Sequence, residues 1–416
     1  MRFLWYFSIS KTVEQTVRAN RKYMTTALPR VRSIDAFRAV IMLLMIFVND
    51  IEDIPNTPQW IHHVADDVDG IGLADIIFPA FLFIVGLSIP FSFQSRSAQN
   101  SNLPLHIIKR SAVLIFWGFL FTNLETYDEE NTLIQRGTWQ YLAIFSMFFI
   151  FLDYGWLKRV WIKYALQGMG VALLIFLAAI YKSQDPENTW LHFTWWGILG
   201  LIGWAYLYSA LIFHFSNGRL WVQVVAWAIF VLFNLFSHLG LTIFPEPFYP
   251  SIWLAGNGAM QAFAMAGVVT AALYRQMLVQ GSAGKFALTI TVASVILIVF
   301  AFLVRNYTGG ISKAFETPAW VLISTAVCVW SYLPFVFIVD VKKKYDWIKP
   351  IEAAGVATLT CFMLPDIFYS WFETTDLDYP DLVKNGIGGV ARGVVFAFLI
   401  VWATALLLKI KIRLKI

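Results

Sequence analysis

Twelve apolar runs, most of them close to twenty residues long, follow one another along this 416-residue chain: 34–51, 73–94, 111–123, 137–154, 165–181, 193–214, 220–241, 253–274, 286–304, 318–339, 350–372 and 387–408. A helix of about 20 apolar residues crosses about 30 Å of hydrocarbon. In lipid the backbone must satisfy its own hydrogen bonds, so runs of this length leave a helical bundle as the fold. The expectation is an all-α, polytopic transmembrane helical bundle of about 11–12 spans. Composition agrees, with 59% hydrophobic and only 14% charged residues, where a soluble domain carries about 25% charged. No stretch between the runs is long enough to fold separately, so 34–408 reads as one membrane domain. Basic tails flank it over 1–33 and 409–416. The apolar run from Met1 to Ile9 is too short for a signal peptide, and Met24 is an alternative start.

The formal charge of +5 does not point to nucleic acid, because the bases lie in short loops between apolar runs. With the N-terminus inside and alternating spans, 24 of the 31 basic residues fall on the inner side, which is the positive-inside pattern. The outer loops are acidic, with Glu52, Asp53, Asp66, Asp67 and Asp69 in the first and Glu373, Asp376, Asp378 and Asp381 in the last. Both termini are then cytoplasmic. Trp60, Trp190, Trp253, Trp320 and Trp371 sit at predicted outer span ends, where tryptophan anchors a helix at the interface. Cys328 and Cys361 fall inside spans, which argues against a disulfide framework or a cysteine metal site.

Ionisable groups inside spans are costly and mark function by default. Asp35 and Arg38 share a helix face near the inner boundary, as a structural ion pair or as an anion-binding arginine at the inner mouth. Asn49 and Asp50 end the first span; Asp75 opens the second, where the helix dipole favours a carboxylate, and Pro79 one turn on is expected to kink it. Between these acid-bearing ends lie His62 and His63. Histidine titrates nearest neutral pH, so the group forms a candidate acid–base centre, with a solvated acidic loop as the rival reading. The spacing is not that of a zinc motif, and no metal is expected. Asp366 and Arg392, charges on late spans, could pair with each other as a structural ion pair.

Together these residues resemble a known family. Arg32-Ser33-Ile34-Asp35-Ala36-Phe37-Arg38-Ala39, then Val48-Asn49, a loop histidine, and Leu73-Ala74-Asp75 through Phe78-Pro79 to Gly86-Leu87-Ser88 are similar to the heparan-alpha-glucosaminide N-acetyltransferase family. Within it they look most like an uncharacterised bacterial branch, a domain of unknown function. The likeness continues at Gly137-Thr138-Trp139-Gln140, Ile311-Ser312-Lys313, Ile338-Val339-Asp340 and Gly355 to Thr360. The resemblance implies a multi-span acetyltransferase that takes acetyl from cytoplasmic acetyl-CoA, as co-substrate, to the amine of an amino sugar or related glycan beyond the membrane. It maps the catalytic histidine onto His63, the asparagine onto Asn49 and the aspartate onto Asp75. Arg38, Gln140 and Lys313 become the candidates for holding acetyl-CoA. The implied setting is a bacterial inner membrane, with lipid and a glycan acceptor as partners, no nucleic acid, and a homodimer left open. His63 would serve as general base or as acetyl carrier, Asn49 as oxyanion donor or as the group that fixes the imidazole, and Asp75 as the group that orients His63 or holds the acceptor's charge. The acidic loop after His63, and Ala357 where the family places asparagine, bear on the acceptor. Two other classes remain: a secondary transporter using Asp75, Asp366 and Arg392 as a coupling path, and an O-acyltransferase of envelope polysaccharide.

Overall fold

Each of the twelve apolar runs has its helix in the computed structural model, which describes residues 31–97, 102–241, 256–278, 281–375 and 378–415. Most of the basic N-terminal tail, Met24, Trp253 and Asp376 lie outside the described residues, as does the side chain of Arg96. In chain order the helices are α1 (Arg32–Ile51), α2 (Ala74–Ser97), α3 (Leu103–Thr122), α4 (Arg136–Phe151), α5 (Val160–Ile180), α6 (Gly197–Phe215) and α7 (Leu220–His238). There follow α8 (Ala259–Leu278), α9 (Ala283–Arg305), α10 (Pro318–Phe335), α11 (Glu352–Val356), α12 (Thr358–Thr374) and α13 (Gly386–Lys409). A π-helical turn, Val336–Val341, prolongs α10. Among the described residues there is no strand, only isolated bridges at Tyr127–Ser183 and Leu152–Leu414. The chain is an all-α membrane bundle.

Among the described residues eight helices are long and apolar enough to cross a membrane, or nine spans if α11 and α12 count as one broken span. The three that fall short have physical reasons. α1 carries Asp35, Arg38 and Asp50, α4 has only 16 residues, and α8 carries Gln261, Arg275 and Gln276. α1 and α8 bury most of their residues inside the protein, so neighbouring helices, not lipid, set their polarity. The opposite holds at the rim, where only 11% of the α5 window is buried.

Close packing at the centre depends on small residues. Gly86 of α2 faces Ala264 of α8 so closely that an added Cβ would lie 1.8 Å from a backbone oxygen, and Gly267 faces Phe83 in the same way. Backbones approach like this where membrane helices pack through small residues. α3 begins eight residues earlier than its apolar run suggested, because Asn102 caps it through the Leu105 N–H and Pro104 fits the first turn. Pro79 and Pro90 both lie within an unbroken α2. The break falls between α11 and α12, which are bent by 74° around Ala357. An irregular backbone at membrane depth is tolerated where it is covered by protein or lines a cavity, and residues 355–359 line one.

Candidate active site

The loop between α1 and α2 is folded around one carboxylate. Asp75 stands in the first turn of α2, where unpaired N–H groups and the helix dipole favour a negative charge. Its Oδ2 accepts the N–H of Gly72 at 2.8 Å and of Val64 at 3.2 Å, and its Oδ1 lies 2.6 Å from His63 Nδ1. Gly72 is required there, since a Cβ would sit 2.0 Å from the carbonyl oxygen of His62. Trp320 donates its indole N–H to the Asp75 backbone carbonyl. With Nδ1–H donating to Asp75, the tautomer leaves Nε2 as the proton-accepting nitrogen. The Asp75 side chain is 2% exposed and that of His63 31%, so the ring is held from a buried anchor yet remains reachable.

A second loop brings Lys313 to the same ring, its Nζ 3.0 Å from Nδ1 and 2.9 Å from Nε2. An amine equidistant from both nitrogens cannot lie on the in-plane axis of either, so it stands over the ring. Asp69 clips the two loops together. It accepts Arg305 Nε at 2.8 Å and the Ile311 N–H at 2.7 Å, and these bonds, Arg305 first, hold its carboxyl below the usual range. Burial pulls Lys313 below the usual lysine range, opposed by Asp75, Glu52 and Asp66. Three chain segments thus place two bases and one carboxylate in contact. His62 is not part of this group, since its Nε2 bonds the Thr57 hydroxyl.

The other predicted residues lie on two cavities. One, of about 300 Å³, opens on the His63 side of the bundle, and Asn49, Gln140, Arg136, Glu125, Asp366 and Tyr369 line it. The other, of about 450 Å³, lies toward the opposite end and is lined by Arg38, Ser88, Arg110, the 355–359 break, Arg413 and Lys415. Leu199 and Phe362 border both, so the cavities are stacked end to end along the bundle. The second lining has four basic side chains and no carboxylate. Arg38 reaches it while bonded to Asp35 at 3.2 Å, to the Gly355 carbonyl at 3.1 Å and to the Ser88 hydroxyl. Arg38, Gln140 and Lys313 therefore stand at three separate places. Arg110, Arg413 and Lys415 were missed as site candidates, because in the sequence they are simply members of the basic loops and tail.

The expected Asp366–Arg392 pair does not form. Arg392 bonds Asp50, through Nε to Oδ2 at 3.3 Å and through its NH2 group to the Asp50 carbonyl at 3.1 Å. Asp50, near the end of α1, packs directly against α13 and captures the guanidinium first. A coupling path through Asp75, Asp366 and Arg392 is thus interrupted, with Asp75 held by His63 and Arg392 by Asp50. Trp320 is not an interfacial anchor but a fully buried core residue, whereas Trp60, Trp190 and Trp371 are exposed. Among the described residues no group of three or more His, Cys, Asp or Glu side chains could hold a metal ion.

Residues 30–194 match the family described as heparan-alpha-glucosaminide N-acetyltransferase, catalytic. Over 98 residues the chain is 37% identical to heparan-alpha-glucosaminide N-acetyltransferase of Homo sapiens, covering 23% of this chain and 14% of that protein. Over 97 residues it is 34% identical to the protein of the same name in Mus musculus, with the same shares covered. The matched stretch is about one seventh of the length of these relatives. The likeness read from the motifs is therefore shown over 30–194, which contains Arg38, Asn49, His63, Asp75 and Gln140. Lys313, Asp366 and the C-terminal bases lie beyond it.

Proposed function

We propose that this multi-pass membrane protein, with its acyltransferase-like segment over 30–194, transfers acetyl from cytoplasmic acetyl-CoA to an amino sugar or related glycan on the far side of a bacterial inner membrane. The observation that carries this reading is the hydrogen bond that fixes the His63 ring on the buried Asp75, inside the matched segment. A ring held in one tautomer, with Nε2 turned away from the Asp75 anchor and met by the Lys313 amine at 2.9 Å, is suited to general base catalysis.

The basic cavity suits the donor. A polyphosphorylated nucleotide thioester needs cations at one end and an apolar path for its acyl arm. Arg38, Arg110, Arg413 and Lys415 supply the first, and the border at Leu199 and Phe362 supplies the second. The distribution of basic loops puts this end at the cytoplasm, and the short connecting loops fit a bacterial envelope. In the transfer, the acceptor ammonium first gives one proton to water, and the neutral amine forms the new C–N bond as the thioester C–S bond breaks. The proton shed by the nitrogen passes to His63 Nε2 and on to the departing thiolate. Asn49 lines the cavity on the His63 side, where its amide N–H would meet the developing oxyanion. Lys313 stands over the His63 ring, and we assign it to controlling that ring's protonation instead of holding the donor.

The test is acetyl transfer from radiolabelled acetyl-CoA to glucosamine by the purified protein in liposomes, wild type beside His63→Ala. The expected loss is about 10²-fold to 10⁴-fold, the range for a general base. Full activity in the variant sinks the assignment of His63.

A further inference from the structure

We propose that the cavity on the His63 side is a site for a protonated amino sugar, in which Asp366 holds the ammonium group and Gln140 bonds a ring hydroxyl. The proposal rests on the acetyltransferase reading and adds to it where the acceptor sits and what selects it.

Asp366 lies in the middle of α12, one residue after Pro365, and faces the cavity. Among the described residues no hydrogen bond or ion pair reaches its carboxylate, because Arg392 is taken by Asp50. A carboxylate at membrane depth is costly without a partner. Other acids near this end of the bundle have partners: Asp50 has Arg392 and Tyr369, Asp75 has His63, and Glu125 accepts the Trp195 indole N–H at 3.1 Å. Asp366 is left open toward empty space. Gln140 likewise makes no hydrogen bond among the described residues and lines the same cavity. Arg136, the cation in the lining, is engaged by Glu373 at 3.2 Å and by the Leu124 carbonyl at 3.0 Å.

The chemistry left over is one free carboxylate, free side-chain amides, and aromatic walls at Phe121, Trp195, Phe362 and Tyr369. A carboxylate recognises an ammonium by a charge-assisted bond, an amide recognises hydroxyls, and an aromatic face receives the apolar side of a sugar ring. A volume of about 300 Å³ is at the lower end for small-molecule sites and suits one sugar unit. A neutral sugar lacks the ammonium and would leave the carboxylate unpaired.

The experiment measures melting of the purified protein with glucosamine, with glucose, and with sodium exchanged for potassium, each with and without acetyl-CoA. We expect glucosamine to stabilise wild type at concentrations at least about tenfold below those needed for glucose. Asp366→Asn should lose that preference, melt higher than wild type without ligand because an unpartnered charge has gone, and keep its response to acetyl-CoA. Asp346→Asn, an exposed acid on another loop, should behave as wild type. Equal response to the two sugars in wild type, an undiminished preference in Asp366→Asn, or stabilisation by sodium in place of glucosamine would each overturn the proposal. The amine arm alone decides it; absence of any response to acetyl-CoA in wild type strikes the acetyltransferase reading instead.

Discussion

Asp50 and Asp75 stand at the facing ends of α1 and α2, each with its side chain 2% exposed and each holding a base from another part of the chain. Around Asp50 every group is used. Tyr369 donates to Oδ1 at 3.0 Å, Arg392 donates to Oδ2 and the backbone carbonyl, and the same guanidinium lies 4.2 Å from the Tyr379 ring. Arginine does not give up its proton in a protein, so this cluster has one protonation state. Around Asp75 the base is a histidine, and a lysine amine stands over it within 3.0 Å of both ring nitrogens. Both clusters bury their carboxylate to the same extent, but only the second holds bases of a kind that can exchange a proton. The difference suggests a rule for charges in such a bundle: a saturated pair fastens helices, and a cluster with more bases than acids does chemistry.

The comparison is tested most severely by deleting each base. Arg392→Leu should leave Asp50 buried and unpaired, which costs about 3–5 kcal/mol when one partner of a buried pair is removed. The expected result is a large fall in melting temperature and membrane yield, with acetyl-transfer activity per folded molecule kept within about threefold. His63→Ala should do the reverse, losing turnover while melting close to wild type. A variant at Arg392 that melts normally but transfers nothing would erase the distinction between the clusters.

Lys313→Met gives a smaller and sharper effect. Burial already favours loss of the lysine proton, and the amine lies against both nitrogens of the His63 ring. Without Lys313 the site loses a base that touches both ring nitrogens, so the kcat/KM profile against pH should change shape. Should the profile keep its shape while KM for acetyl-CoA rises, Lys313 holds the donor, as its place among the resembling motifs first implied.

The residues most visible in the sequence were those whose polarity conflicted with their run: Asp75, His63 and Asn49 stand out against apolar neighbours. The twelve helices were legible because lipid demands long apolar runs. What could not be read was which helices meet lipid at all. α1 and α8 are shielded by their neighbours, so hydropathy ranks them below rim helices such as α5 although they form the centre. Pairing across the bundle was equally hidden. Asp366 and Arg392 are the near pair in sequence, but α13 packs so that Arg392 faces Asp50, 342 positions away. The contact of Lys313 with His63 spans 250 positions and depends on the Asp69 clip, a tertiary feature with no local signature. The break at Ala357 was also silent, since Pro350, Glu352, Pro365 and Asp366 all lie away from it and residues 353–364 read as an ordinary apolar stretch.

The smallest expected effect asks where the open cluster ends. Glu316 follows Lys313 by three residues in the same loop, and burial raises its carboxyl to about 7 against a bond from Asn257. A carboxyl raised on folding favours the protonated, folded form. Its contribution is present in full below the unfolded value of 4.5 and is lost as pH rises through about 7. Glu316→Gln, neutral at every pH, should therefore melt like wild type near pH 4.5 and higher than wild type at pH 8, by about one or two degrees. The acid limb of its activity profile should stay in place, because Glu316 is not among the charges that act on Lys313. A limb that shifts with Glu316→Gln would extend the proton-sharing cluster along the loop from His63 to Asn257. An unmoved limb confines it to Asp75, His63 and Lys313, and the contrast with the saturated Asp50 pair then lies in those three side chains alone.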